Sequence, residues 1–200
     1  EPDIASLISS RICHDLVSPL GAISNGLELL ELSGATDGPE YGLLNDSVAS
    51  ATARINFFRY AFGARDKGSS LPESALRATL DGFYASSRVR VLWSVKGDVA
   101  CAEAKLALLL IQCLETFLPV GGMIEATCDG GVWRFTATDD RLRLHEANLA
   151  HLLGQSLRPD LKPSEIQFEL ARRILDEEQL TPKSGVNGSE FTLSYRFSVA

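Results

Sequence analysis

RICHDLVSPLGAISNGLELL, residues 11–30, decides how the chain is read. At about 100° per residue, Leu16, Leu20, Ile23, Leu27 and Leu30 fall in one narrow sector, with the alternating spacing of a bundle seam. His14 projects from nearly the opposite side, and Arg11, Ser18, Gly21 and Asn25 project with it. The stretch predicts an amphipathic helix with a histidine in a polar strip, flanked by small residues that would admit another protein's surface. Pro19 interrupts the pattern, where a proline removes a helical hydrogen bond at a cost of roughly 3 kcal/mol. A local bend with a use is expected there, and a plain kink near the helix start is the alternative.

Working outward, the helix should run from about Asp3 to Leu32 and break at SGATDGPE, residues 33–40, where Gly34 and Gly38 favour a turn. A second helix should follow to about Ala64, because Tyr41, Leu44, Val48, Ala51, Ile55, Phe58 and Phe62 repeat at heptad spacing. Two such helices make an antiparallel hairpin, which encloses no core of its own. It needs a partner. A second copy is the expectation, giving a four-helix bundle by homodimerisation; packing of the seam on the rest of the chain is the alternative.

RDKGSS, residues 65–70, reads as a linker, after which the period changes. Residues 74–87 predict a helix, 88–95 a strand and 102–118 a largely buried helix. Asp129, Gly130 and Gly131 predict a hairpin turn between two strands within Val120 to Asp140. Helices over 144–153 and 164–178 and a closing strand over 188–197 complete the pattern. The fold class is therefore α+β: a helical hairpin over 1–66, then an α/β sandwich over 70–200.

Composition sets the outer limits. The chain has 200 residues, 45% of them hydrophobic, and a formal net charge of -7, so it is globular. Without clustered Lys and Arg it has neither a nucleic-acid partner nor a membrane partner to expect. The most apolar run, Leu106 to Leu118, is too short to span a bilayer, and nothing like a signal peptide is read ahead of the first helix. Cys13, Cys101, Cys113 and Cys128 form no CxxC pair or disulfide framework, which points to the reducing cytoplasm. His14, His145 and His151 share no ligand spacing with them, so no metal site is expected.

HDLVSPL, residues 14–20, resembles the phosphoacceptor box of dimeric histidine kinases, a histidine followed by an acid and, five residues on, a proline. The second domain resembles the ATP-binding domain of those kinases, but with departures. Cys113 stands where they carry a magnesium-binding asparagine, and a thiol is no hard oxygen ligand. Asp139, Asp140, Arg141, Leu142 and Arg143 keep an acid but no glycine, and residues 163–175 hold no glycine-rich lid. With no phosphate cradle, nucleotide binding is not expected. The combination is similar to the ChpT family of histidine phosphotransferases, and AFGA at 61–64 matches that family as well.

The resemblance implies a dimer that takes a phosphoryl group from the receiver domain of a CckA-type hybrid histidine kinase. It implies passage of that group to receivers of response regulators such as CtrA and CpdR, in bacterial cell-cycle control. His14 would be the phosphoacceptor, since a neutral imidazole offers a lone pair near neutral pH. By the same resemblance Asp15 would orient or balance it, although adjacent helical residues do not face each other. Ser18 could approach the ring or the phosphate, while Arg11, Gly21 and Asn25 would meet the partner. Magnesium would come from the receiver's acidic pocket. A non-catalytic scaffold that docks receivers and a divergent kinase are the competing readings.

Overall fold

The first helix, α1, runs from Ile4 to Ser33 and continues through Pro19 rather than stopping there. The second, α2, spans Pro39–Phe62 and folds back along it. The computed structural model describes residues 4–33, 39–63, 68–158 and 160–197; the side chains at positions 6, 10, 13, 14, 17, 31, 33, 39 and 40 lie outside the description. Most of the expected turn and linker therefore also lies outside it.

The apolar stripes are shared differently from the predicted seam. From residue 11 onward the covered positions among the described side chains of α1 are Arg11, Ile12, Asp15, Leu16, Pro19, Ile23, Gly26 and Leu30, whereas Leu20 and Leu27 are 56% and 49% exposed. The physical reason is a second contact: the first half of α1 lies on the sandwich as well as on α2. Further along, Gly26 lets α2 approach so closely that an added Cβ would sit 3.1 Å from Leu44 Cδ1. The α2 seam divides too. Tyr41, Val48 and Ile55, one heptad apart, are exposed, while Phe57, Phe58 and Ala61 enter the core of the sandwich. The expected alternative, packing on the chain's own second domain, is thus realised at one end of the hairpin.

After β1 (Ser70–Leu71), the sandwich comprises α3 (Glu73–Tyr84), β2 (Val89–Trp93), β3 (Val99–Ala100), α4 (Cys101–Glu115), β4 (Gly122–Asp129) and β5 (Val132–Thr138). It continues with α5 (Glu146–Leu152), a 3-10 turn at Pro163–Glu165, α6 (Ile166–Glu177), β6 (Lys183–Asn187) and β7 (Glu190–Arg196). The main sheet has the order β2-β4-β5-β7-β6, parallel between β2 and β4 and antiparallel elsewhere. Gly130 and Gly131, at φ 52° and 75°, form the predicted tight turn between β4 and β5.

Alternation decides the layers. Trp133, Phe135 and Ala137 of β5 and Phe191, Leu193 and Tyr195 of β7 are buried against the helices, in the register Trp133 with Tyr195 and Phe135 with Leu193. Arg134, Thr136, Thr192 and Ser194 line the opposite, polar face. Helix α4 is buried from Leu106 to Leu114 on every side, because it lies between the sheet and the hairpin. Sequence periodicity misses β1, β3 and β6: the first two have two residues each, and β6, KSGVN, is exposed along its whole length with no apolar alternation.

Candidate functional site

Position 14 lies in the first half of α1, and the spacing of the helix sets 11, 18, 21 and 25 on the same side of the backbone. The side chain of His14 is outside the description. Ser18, Gly21 and Asn25 are exposed, and a Cβ built on Gly21 would meet nothing within 4 Å, so no packing among the described residues requires a glycine there. Arg11 does not share that openness. Its Nε donates to Asp15 Oδ2 at 2.8 Å and its Nη1 to the backbone carbonyl of Ser164 at 2.9 Å. The structure brings Arg11 and Asp15 together, side chains 18% and 12% exposed, and turns both toward the sandwich.

Behind them lies a cleft of about 570 Å³ lined by α1, α2 and the ends of α3 and α4, with Arg11, Asp15, Asp46, Arg54, Tyr84 and Glu115 in its wall. Tyr84 donates its hydroxyl to Glu115 Oε2 at 3.0 Å. Burial pushes the Glu115 carboxyl up from its ordinary value, against the opposing effects of that hydrogen bond and of Arg11. Arg54 carries its guanidinium 5.4 Å from the centre of the Phe83 ring. Arg54 and Tyr84, which reach the cleft from separate elements, and Ser164, which meets Arg11 through its backbone carbonyl, carry no local signal in the sequence. Glu115 does carry one: an acid that closes the apolar run begun at Leu106.

The positions at which the sequence departs from the kinase nucleotide elements differ in burial. Cys113 is fully buried in the core, and burial pushes its thiol up. Asp139 Oδ1 accepts from the Arg141 backbone N–H at 2.7 Å, closing a turn at the end of β5. Ile166, Gln167 and Phe168 are buried at the start of α6. Between β5 and α6, His151 Nε2 lies 2.9 Å from Glu169 Oε2, while Nδ1 accepts from the Arg158 backbone N–H at 3.2 Å. The latter contact makes Nε2 the protonated nitrogen, an arrangement of a satisfied buried histidine. Trp93 and Trp133 are both in the core, ring centres 5.7 Å apart. Among the described residues, no helix is long and apolar enough to cross a membrane.

Comparison with known proteins joins these observations. The histidine phosphotransferase C-terminal domain matches residues 74–183, more than half of the chain and inside the sandwich. The protein phosphotransferase ChpT of Brucella abortus (strain 2308) is 35% identical over 131 residues, 64% of this chain and 62% of that protein. The match thus spans somewhat under two thirds of the curated relative. A solved bacterial phosphotransferase, 25% identical, superposes with a TM-score of 0.80 over 97% of this chain and 96% of its own. With the family's domain over more than half of its length, the sandwich carried behind a histidine-bearing hairpin, the chain belongs to the histidine phosphotransferase family.

Proposed function

We propose that the chain relays a phosphoryl group through His14 between receiver-domain aspartates and uses no nucleotide of its own. The observation that supports the reading is the pairing of an acceptor box on α1 with a family domain in which Cys113, Ile166, Gln167 and Phe168, at positions where the kinase nucleotide elements would stand, are buried side chains. A neutral imidazole nitrogen attacks the acyl phosphate of the donor receiver; the P–O bond to aspartate breaks, the P–N bond forms, and aspartate leaves as a carboxylate. The second ring nitrogen carries the compensating proton, and the reverse step hands the group to the next receiver. Magnesium comes with each receiver. Ser18, Gly21 and Asn25 face the docked partner. The receivers are those of a CckA-type hybrid histidine kinase and of response regulators such as CtrA and CpdR, in cytoplasmic control of the bacterial cell cycle.

The acting form is a homodimer. Leu20, Leu27, Tyr41, Val48 and Ile55 are exposed apolar side chains of the hairpin, which supports a second copy covering them in a four-helix bundle. Sedimentation should give twice 21.7 kDa for the wild type and 21.7 kDa for Val48→Glu/Ile55→Glu; a monomeric wild type sinks the bundle. For the relay, the chain is incubated first with labelled ATP and then with a labelled phosphorylated receiver domain. Label should arrive only from the receiver, and His14→Gln should abolish it. Labelling by ATP alone would overturn the reading in favour of a kinase, and undiminished transfer to His14→Gln would remove His14 from the reaction.

A further inference from the structure

We propose that Arg11 is a positioning residue for the phosphoacceptor turn, and that the second domain acts on His14 through it. The inference rests on His14 as acceptor. One guanidinium holds two groups at once: Asp15 Oδ2 at 2.8 Å and the Ser164 carbonyl at 2.9 Å. Asp15 follows position 14 in the chain, so the first contact fixes the turn of α1 that carries the acceptor. Ser164 belongs to the 3-10 turn before α6, so the second contact fixes that turn of α1 to the sandwich. The planar fork of arginine can serve two acceptors in two directions, whereas a lysine ammonium is a point charge on a flexible stem.

The anchor is itself built to stay in place. The Ser164 carbonyl also accepts from Gln167 Nε2 at 3.0 Å. Glu165 accepts from Asn148 Nδ2 at 3.1 Å and from the Lys162 backbone N–H at 3.2 Å, and pairs with Arg158 at 3.6 Å. Arg158 in turn holds Asn148 and Asp160. This network fills the part of the domain in which the glycines of a phosphate cradle are missing. What stands there instead is a brace, and Arg11 is a polar arm that joins it to the hairpin.

In-line transfer requires the ring nitrogen on the axis of the breaking P–O bond, and a turn free to rotate is off that axis for part of the time. The brace therefore governs the rate of transfer within the docked complex rather than the affinity for the receiver. Arg11 contrasts here with Ser18, Gly21 and Asn25, which stay on the open side.

Rapid-quench transfer from a phosphorylated receiver domain to the full chain tests this with Arg11→Lys and Arg158→Ala, each measured well below its melting midpoint. The rate at saturating receiver should fall about tenfold in the first and about threefold in the second, with the half-saturating concentration unchanged. Amide exchange over residues 8–18 should quicken in both. Arg11→Lys keeps a cation in the cleft, so it reports even if Arg158→Ala does not fold. Wild-type rates in the variants, or a change confined to half-saturation, overturn the inference while leaving the relay intact. A wild type that takes no phosphoryl group, or a His14→Gln chain that takes as much, overturns both.

Discussion

Glu115 sits where a core helix meets the cleft, and its chemistry follows from that place. Burial is the largest influence on its carboxyl, ahead of the Tyr84 hydroxyl, Arg11, Asp15 and Arg54. Its pKa is raised above 4.5, so the folded chain holds this proton more tightly than the unfolded chain does. The resulting stabilisation is full below the unfolded value and is lost as pH rises through the folded one. Glu115→Gln keeps an acceptor for Tyr84 and removes the buried charge. Thermal melts across pH should show the variant gaining on the wild type as pH climbs above 4.5, then holding a constant lead. A gap that does not change with pH would mean that Glu115 has the same affinity for its proton in both states.

At the scale of elements, the end of α6 offers a clean test of local strain. Gln179 has φ 53°, the left-handed region that side chains rarely adopt. Leu180 N–H donates to Leu175 O at 2.7 Å and Gln179 N–H to Asp176 O at 3.1 Å, the paired bonds of a Schellman turn. Gln179 is exposed, so its side chain gives little back. Gln179→Gly should raise stability by about 0.5–1 kcal/mol in denaturant titrations, the relief of strain exceeding the extra freedom of the unfolded glycine. Destabilisation would show that the Gln179 side chain contributes to the fold.

The same scale shows what the sequence could and could not carry. Helix α4 was legible because a helix enclosed on all sides has no polar face to lose, and its run from Leu106 to Leu114 has almost none. The β4–β5 hairpin was legible from Asp129, Gly130 and Gly131, since few other residues make that turn. Strand β6 was not, because an edge strand exposed at every residue is held by backbone bonds that leave no trace in side-chain pattern. The strip of Ser18, Gly21 and Asn25 could be read from helical spacing alone. The turn of Arg11 away from that strip could not, for its partner Ser164 lies 153 residues along the chain. Periodicity likewise placed Leu20 and Leu27 in the seam, not knowing that the sandwich would claim part of the helix surface.

For the whole molecule, the decisive fact is that Phe57, Phe58 and Ala61 belong to the same buried cluster as Trp133, Leu110 and Phe135. Both tryptophans lie in the sandwich, whereas α1 and α2 hold 30 and 24 helical residues. Tryptophan emission therefore reports the sandwich, and helical circular dichroism weighs the hairpin heavily. With a shared core, the two signals should fall together in one transition during urea unfolding. Separate midpoints would mean that the hairpin end docks without cooperating. Phe57→Ala, which empties a fully buried site stacked 4.0 Å from Phe83, should lower stability by about 3–5 kcal/mol and shift both signals alike.

That buried hairpin end also bears on how such a chain can be recombined. A hairpin cut off after α2 would present Phe57 and Phe58 to water, and a sandwich begun after it would bare the flank of α4. Neither piece can be grafted onto another protein without new residues to cover the wound. Gene fusions that borrow the hairpin must carry the sandwich with it, each domain being inherited as one half of a joint.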